Sequence, residues 1–389
     1  MRILEPHSIT VLTTDRCTAE CRHCCMNSSP TRTHALTYEQ IASALRQLFD
    51  NFNIKVVIFA GGEPTLLGDD LLKSIRFCKM NGVISRIVTN AYWATSPEAA
   101  LAKCTELREA GLDEFNVSMD DYHEPYIAFE RVKMAYDAAM QIDFSAVVIA
   151  NCVGKDSTLT PEFLEQQFGM SCVEMQRRFD VDGFSKFFER SEGGKAIVLS
   201  NTFVQRLGRG IDLVGDEECN YDSDMSNVPP EAEAFGGCPW AVRSCAITPK
   251  NHLVACCGFE LQGNPILDFG TLTGDNAVGL VERADNDLIT NMIGLLGPPK
   301  LMQLLKELAP DEVHFPRPIY HSYCEVCHDL VGIEKNRRAL YKHQGTFAPV
   351  ILQARADLEQ NFREVGGRIE PTPIRLSGVR VVAGPGAEV

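Results

Sequence analysis

Six short apolar runs, separated by helix-like stretches, recur through the first 212 residues of this 389-residue chain. They span residues 8–14, 55–60, 85–90, 114–119, 145–151 and 196–201. Runs too apolar to leave one face in water predict parallel strands covered on both sides. Six such βα units predict an α/β fold, its sheet curled into a partial (β/α)6 TIM-like barrel. Between the first two runs, Thr37-Tyr-Glu-Gln40 has the form of a capping box. It opens a helix with Ile41, Leu45, Leu48 and Phe49 on one face. Ser96-Pro97-Glu98 opens another, with Leu101, Cys104 and Leu107 expected inward. Active groups then belong where strands end and loops begin.

Directly behind the first run, Cys17-Thr-Ala-Glu-Cys21-Arg-His-Cys24 spaces three thiols as C-x3-C-x2-C. A loop of this size can wrap three thiolates around one cubane [4Fe–4S], leaving one iron open to a non-protein ligand. The alternative is zinc, which usually takes four ligands from C-x2-C knuckles. Cys25 is a poor fourth ligand beside Cys24 and reads as a packing residue. The second run ends in Gly61-Gly62-Glu63-Pro64, where glycines admit a ligand to the backbone and a carboxylate can bind an ammonium group. The third ends in Thr89-Asn90 and the fourth in Ser118-Met-Asp-Asp121, each offering short polar groups.

With these motifs in order, residues 8–212 resemble the radical S-adenosylmethionine (SAM) superfamily. The resemblance implies a [4Fe–4S] cluster on Cys17, Cys21 and Cys24, its open iron chelated by the amino and carboxylate groups of SAM. It implies Gly61, Gly62, Glu63 and Pro64 along the methionine amino group, and Asn90 and Ser118 near the carboxylate or ribose. His23 would lie near the adenine, where Tyr or Phe is commoner. Gly208-Arg209 resembles a pair set near cofactor or substrate. One electron would cleave the sulfonium to a 5′-deoxyadenosyl radical that abstracts a substrate hydrogen. Asp120, Asp121 and His123, just past the fourth run, could orient substrate or move protons; solvated loop residues would look the same.

A second cysteine group lies late in the chain: Cys238, then Cys256, then Cys324-Glu-Val-Cys327. This spacing resembles the twitch and SPASM auxiliary-cluster domains. The shorter twitch form, four ligands on a second [4Fe–4S] cluster, fits better, because the further cysteines of SPASM are absent. Cys256 and Cys257 point to opposite faces of a strand, so one is expected to ligate, with Cys256 favoured by spacing. Cys257 and Cys245 are the alternative ligands, and Cys219 is unassigned; a structural four-cysteine zinc site is the other reading. A fully ligated cluster suits electron transfer. Cys78, Cys104, Cys152 and Cys172 read as core or incidental, and Trp93 and Trp240 as packing.

The expected organisation is a core barrel at 1–212, an acidic linker at 213–236, an auxiliary domain at 237–332, and a closing helical segment and tail at 333–389. A hairpin at 244–248 and 252–256 and a helical stretch at 287–308, interrupted at Gly297-Pro-Pro299, belong to the auxiliary part. A net charge of −15, spread along the chain, argues against nucleic acid and anionic membranes as partners. Fifteen cysteines without a signal-like N-terminus or an 18-residue apolar run point to a cytoplasmic protein.

The leading expectation is a radical enzyme modifying a ribosomally made peptide by crosslinking, thioether formation or epimerisation. Its partners would be a flavodoxin- or ferredoxin-type reductant and, since the first strand begins near residue 8, a separate leader-peptide-binding protein. The alternative is a radical dehydrogenase, or another modifying enzyme, of a small metabolite. A non-catalytic iron–sulfur electron carrier is the reading from another class, and the Gly61–Pro64 strand end argues against it.

Overall fold

The computed structural model describes residues 4–170, 178–180, 183–189, 194–219, 225 and 237–364. Most of the expected 213–236 linker, Cys172 and the tail beyond 364 lie outside the described residues.

The βα units appear in the expected order. Strand β1 (Ser8–Leu12) precedes α1 (Tyr38–Asn51), β2 (Val56–Ala60) precedes α2 (Asp69–Met80), and β3 (Ile84–Thr89) precedes α3 (Pro97–Ala110). Then come β4 (Glu114–Ser118), α4 (Phe129–Gln141), β5 (Ala146–Val153) and α5 (Pro161–Gln167). An antiparallel ribbon not foreseen from sequence, β6 (Arg178–Asp180) and β7 (Gly183–Glu189), leads into β8 (Ala196–Phe203) and the single-turn α6 (Gly210–Leu213). Strands β1 to β5 and β8 pair in parallel in that sequence, the arrangement of a partial barrel. The ribbon flanks the outer edge of β8.

Local chemistry sets these elements. Thr37 accepts from the Gln40 amide at 3.3 Å while the Gln40 side chain accepts from the Thr37 amide at 2.9 Å, closing the capping box. Ile41, Leu45 and Leu48 are buried as expected. In α3 the inward stripe is Ala100, Cys104, Leu107 and Ala110; Leu101 is exposed, because Ala100 completes the i, i+4, i+7 row. β1 stops at Leu12 rather than Thr14, since Thr14 leaves the sheet for a bridge with Ala35.

The late hairpin, β9 (Ser244–Ile247) and β10 (His252–Val254), continues the same sheet, with a third strand β11 (Asp268–Thr271) beyond it. β9 lies parallel to β1, Ser8 opposite Ser244, and their hydroxyls meet at 2.9 Å. Helices α7 (Ala277–Asn286), α8 (Leu288–Leu296), α9 (Pro298–Leu308), α10 (Tyr323–Gly332) and α11 (Glu334–Glu364) follow. Gly297, at φ 83°, breaks α8 from α9 where Gly-Pro-Pro predicts it. One apolar core, including Ile9, Val57, Phe59 and Phe115, packs the wall strands on their helices. A second, including Leu12, Ala246, Val254, Leu301 and Phe347, joins β1 to the late helices. No helix among the described residues is long and apolar enough to cross a membrane.

Candidate cluster and cofactor site

The ends of β1, β2, β3, β4, β8 and β9 gather around the cysteine loop. That loop is closed at its neck, where the Cys17 amide donates to Ser29 O at 3.1 Å and the Ser29 amide to Asp15 O at 3.3 Å. Inside it the Cys24 amide donates to Cys21 O at 3.1 Å. The Cys17 sulfur accepts from the Ala19 amide at 3.4 Å and from Asn90 Nδ2 at 3.6 Å. Burial, only partly offset by the Ala19 amide, pushes the Cys17 thiol up to about 11. Donors aimed at a sulfur are what an anionic ligand of iron would use.

The two glycines after β2 are there because backbone meets backbone. A Cβ on Gly62 would sit 2.0 Å from Arg16 O, and one on Gly61, at φ 128°, would sit 2.6 Å from Thr14 O. The Gly62 amide donates to Thr14 O at 2.6 Å and the Glu63 amide to Arg16 O at 2.9 Å. Glu63 is fully buried. Its Oε1 accepts from the Thr65 amide and hydroxyl and from the Thr89 hydroxyl, and its Oε2 from the Asn90 amide at 2.8 Å. Burial raises its pKa against the pull of these bonds. A carboxylate offers roughly four lone-pair sites, so Oε2 keeps capacity for one more donor. Pro64 begins the turn that carries Thr65. Thr65 was missed from sequence, since an isolated threonine carries no spacing signal, whereas Thr89 was read there only as a short polar group at a strand end.

Asn90 also donates to Thr18 Oγ1 at 3.0 Å, tying the end of β3 to the loop. Ser118 is the last residue of β4, half-buried. Past it, Asp120 is buried and accepts from His123 Nδ1 at 2.8 Å and from the Tyr122 and His123 amides at 2.9 Å. His23 joins this pair, its ring 5.1 Å from His123 and 4.7 Å from Tyr122. His23, Asp120 and His123 each bring a donor atom within 4.8 Å of the others. Nδ1 of His23 is buried with no hydrogen-bond partner. Burial alone would raise Asp120, yet His123 and His23 hold it at about 2. Burial works against a charged His123, but Asp120 lifts it well above the usual histidine value, and its ring lies against the Cys21 thiol. Burial lowers His23 to about 4. Asp121 turns away: its carboxylate accepts from the Thr158 and Leu159 amides at 3.0 and 3.1 Å, capping the loop after β5.

Arg209 closes the far side. Its guanidinium donates to Cys21 O and Ser28 O, both at 2.7 Å, and its amide to Cys24 O at 3.0 Å. Gly208 is required beside it, because a Cβ there would lie 2.5 Å from the carbonyl oxygens of Cys24 and Cys25.

The late cysteines converge in part. A Cβ built on Gly258 lies 3.0 Å from Cys324 Sγ and 3.7 Å from Cys256 Sγ, so this glycine opens space between the two sulfurs. Cys256 interacts electrostatically with Cys238 and Cys327, and Cys327 with Cys238. Cys257 turns the other way, its sulfur 3.6 Å from Thr10 Oγ1 on β1. Cys245 is buried in the wall core, bonded to Val242 O, away from this group. Cys219 lies with Cys21 and Cys152 in a small apolar cluster. Glu325, between Cys324 and Cys327, is fully buried and accepts from the amides of Arg206 and His321, each at 2.8 Å.

Residues 11–156 match the family model described as the radical SAM superfamily. That segment, well under half of the chain, is similar to a radical SAM domain, a family that implies a [4Fe–4S] cluster and SAM. YydG of Bacillus subtilis (strain 168), named for peptide biosynthesis, is 26% identical over 126 residues, 32% of this chain and 40% of YydG. Fe-coproporphyrin III synthase of Methanosarcina barkeri is 30% identical over 128 residues, 33% of this chain and 31% of that protein. The chain thus spans well under half the length of either relative. Among solved structures, anSMEcpe with bound AdoMet and Cp18Cys peptide aligns at 12% identity and TM-score 0.47, over 89% of this chain and 99% of that one. SuiB of Streptococcus suis, bound to S-adenosylmethionine, aligns at 12% identity and TM-score 0.34, over 75% of this chain and 66% of that one.

Proposed function

We propose that this chain is a radical SAM enzyme acting on a ribosomally made peptide. One observation carries the reading of the site: the cysteine loop is held between the Gly61–Glu63 end of β2 and Arg209 after β8, with Asn90 Nδ2 3.6 Å from Cys17 Sγ. On this reading Cys17, Cys21 and Cys24 hold a [4Fe–4S] cluster. When bound, cluster and SAM supply reductive cleavage of the cofactor and a carbon radical able to take hydrogen from a substrate.

The chain's own groups do the rest. Glu63 Oε2 offers the remaining acceptor site for an ammonium group. Asn90 steadies Cys17 and the neighbouring Thr18, and Ser118 presents a hydroxyl at the end of β4. His23 gives a ring face and a buried Nδ1 for an adenine. Asp120 holds His123 by Nδ1, fixing which ring nitrogen carries the proton on that side. The peptide reading is supported by the name of YydG and by an apolar cleft beside Gly61, lined by Leu12, Met26, Val254, Phe259 and Leu261. Such a cleft suits an apolar side chain.

Cys238, Cys256, Cys324 and Cys327 are read as ligands of a second [4Fe–4S] cluster that moves electrons. A tetrahedral zinc site would draw its thiols to about 3.8 Å from one another, given the usual zinc–sulfur length. No three thiols among the described residues lie within 4.8 Å of one another.

Anaerobic reconstitution with iron, sulfide, dithionite and SAM tests the proposal. The expected result is 5′-deoxyadenosine from protein holding about eight irons per chain, four for each cubane. Fully loaded protein that forms none is an electron carrier, and the enzyme reading falls. A count near four with bound zinc removes the second cluster. Hydrogen transfer from a small metabolite but from no candidate peptide overturns the peptide reading.

A further inference from the structure

Alternate residues of a barrel strand face opposite sides of the sheet. Phe115 and Val117 of β4, Ile149 of β5 and Leu199 of β8 point outward into the core beneath the helices and are fully buried. The inner face is partly open, with Val88, Ala150, Val198 and Ser200 half-buried. Strand register places Val88, Asn116, Val148 and Val198 opposite one another in a single inner row. Asn116 is the polar member of this otherwise valine row. Its Nδ2 is buried and has no hydrogen-bond partner among the described residues. An amide left so costs the fold stability, whereas a fourth valine would complete the row without that cost. A buried polar group without a partner marks a place where a ligand or a water belongs.

The surroundings narrow the choice. Ser118, on the same face of β4, ends that strand at the candidate cofactor site. Two residues of parallel strand span about 6.6 Å, so Asn116 lies that far below it. The amide turns about a soft χ2 torsion, and Ala150, diagonal to it on β5, leaves room above. Arg86, one row further down, is paired with Glu114 at 2.5 Å. These rows therefore offer a neutral donor between apolar walls and no free charge. That chemistry suits a neutral carbonyl rather than a carboxylate or a phosphate.

We propose that Asn116 positions the peptide substrate, donating from Nδ2 to a backbone carbonyl oxygen that enters the barrel below the strand-end site. The proposal deepens the peptide reading above and rests on it. The competing account is an enclosed water that satisfies Nδ2 and steadies the wall. It predicts an effect on stability and none on the use of substrate.

The test uses the reconstituted full chain, with Asn116→Val and Asn116→Thr, and a proteolytic digest of perdeuterated protein as the probe. The two replacements share a branched shape and differ by one hydroxyl donor. Mass spectrometry reads the total 5′-deoxyadenosine and the part of it carrying deuterium, which comes only from the digest. No 5′-deoxyadenosine from the wild type removes the radical reading. Product without deuterium removes the peptide reading, and this proposal with it. Where the wild type transfers deuterium, the digest concentration for half-maximal transfer is expected to rise at least several-fold in Asn116→Val. Asn116→Thr should recover part of that loss. Wild-type dependence on the digest in Asn116→Val overturns the proposal, and so does an equal loss in both variants. Urea midpoints are compared on chain before iron is added. Asn116→Val is expected at or above the wild type, since an unmet donor is gone. A lower midpoint in both variants shows that a water already satisfied the amide, and overturns the proposal.

Discussion

The Arg209 guanidinium donates to the carbonyl oxygen of Cys21 at 2.7 Å, so the segment after β8 grips the loop after β1. A second bond of the same length reaches Ser28 O. Hydrogen bonds from charged donors are worth about 1.5–3 kcal/mol each. Arg209→Gln is therefore expected to loosen the loop and lower iron retention after reconstitution and desalting. Arg209→Lys, a single donor centre, should fall between, as read by iron content per chain.

Gly62→Ala places a methyl group 2.0 Å from Arg16 O, a backbone atom that cannot swing aside. Overpacking of this kind costs about 1–3 kcal/mol. Gly279→Ala in α7 meets nothing within 4 Å and is expected to stabilise by about 0.5–1 kcal/mol through helix propensity. Urea midpoints of the two variants should move in opposite directions.

Glu325 faces the guanidinium groups of Arg206 and Arg317 at 3.6 and 3.8 Å from inside the protein. Removing one partner of a buried ion pair costs about 3–5 kcal/mol, because the other charge stays buried. Glu325→Gln should therefore disturb the turn carrying Cys324 and Cys327. Iron is expected to drop by about half, four of the eight irons of two cubanes, while 5′-deoxyadenosine formation persists.

Asp329 gives the acid side of the stability profile. Burial alone would raise its carboxyl, but bonds from His328, Tyr320 and Arg317 outweigh it and hold the group at about 2, below the ordinary 3.8. A depressed acid stabilises the fold fully above its unfolded pKa, and that contribution fades as pH falls through the folded value. Asp329→Asn is expected to lower the urea midpoint at neutral pH and to flatten its fall between the ordinary value of 3.8 and about 2. The comparison is made on chain before iron is added.

Cysteine substitutions separate the two proposed cluster sites. Replacing Cys17, Cys21 and Cys24 by Ala should abolish SAM cleavage. Cys324→Ala should spare cleavage yet block turnover of substrate. Normal turnover by the Cys324 variant would remove the relay role.

Much of the barrel was legible because strand and helix periods are written in neighbouring residues. The runs at 55–60 and 114–119 needed no distant partner to be recognised, and neither did the Thr37–Gln40 cap. The β6–β7 ribbon was not legible, since residues 178–189 mix charged and aromatic residues without a continuous apolar run. Within the site, Gly61, Gly62 and Glu63 were read from sequence as ligand-facing positions, and the structure adds contacts within the chain that their spacing did not show. Their closest neighbours are the backbone of 14–16 and the hydroxyls of Thr65 and Thr89, which lie far apart in the chain.

By itself the sequence determined the order of strands, the three-thiol loop and the strand-end groups, because each depends on spacing along a few residues. Only the tertiary structure decided that β9 lies beside β1 and that Arg209 grips the Cys21 carbonyl. Those contacts join residues some two hundred positions apart. They form only when the sheet curls and its edges are brought together, and no local periodicity records which edge will meet which.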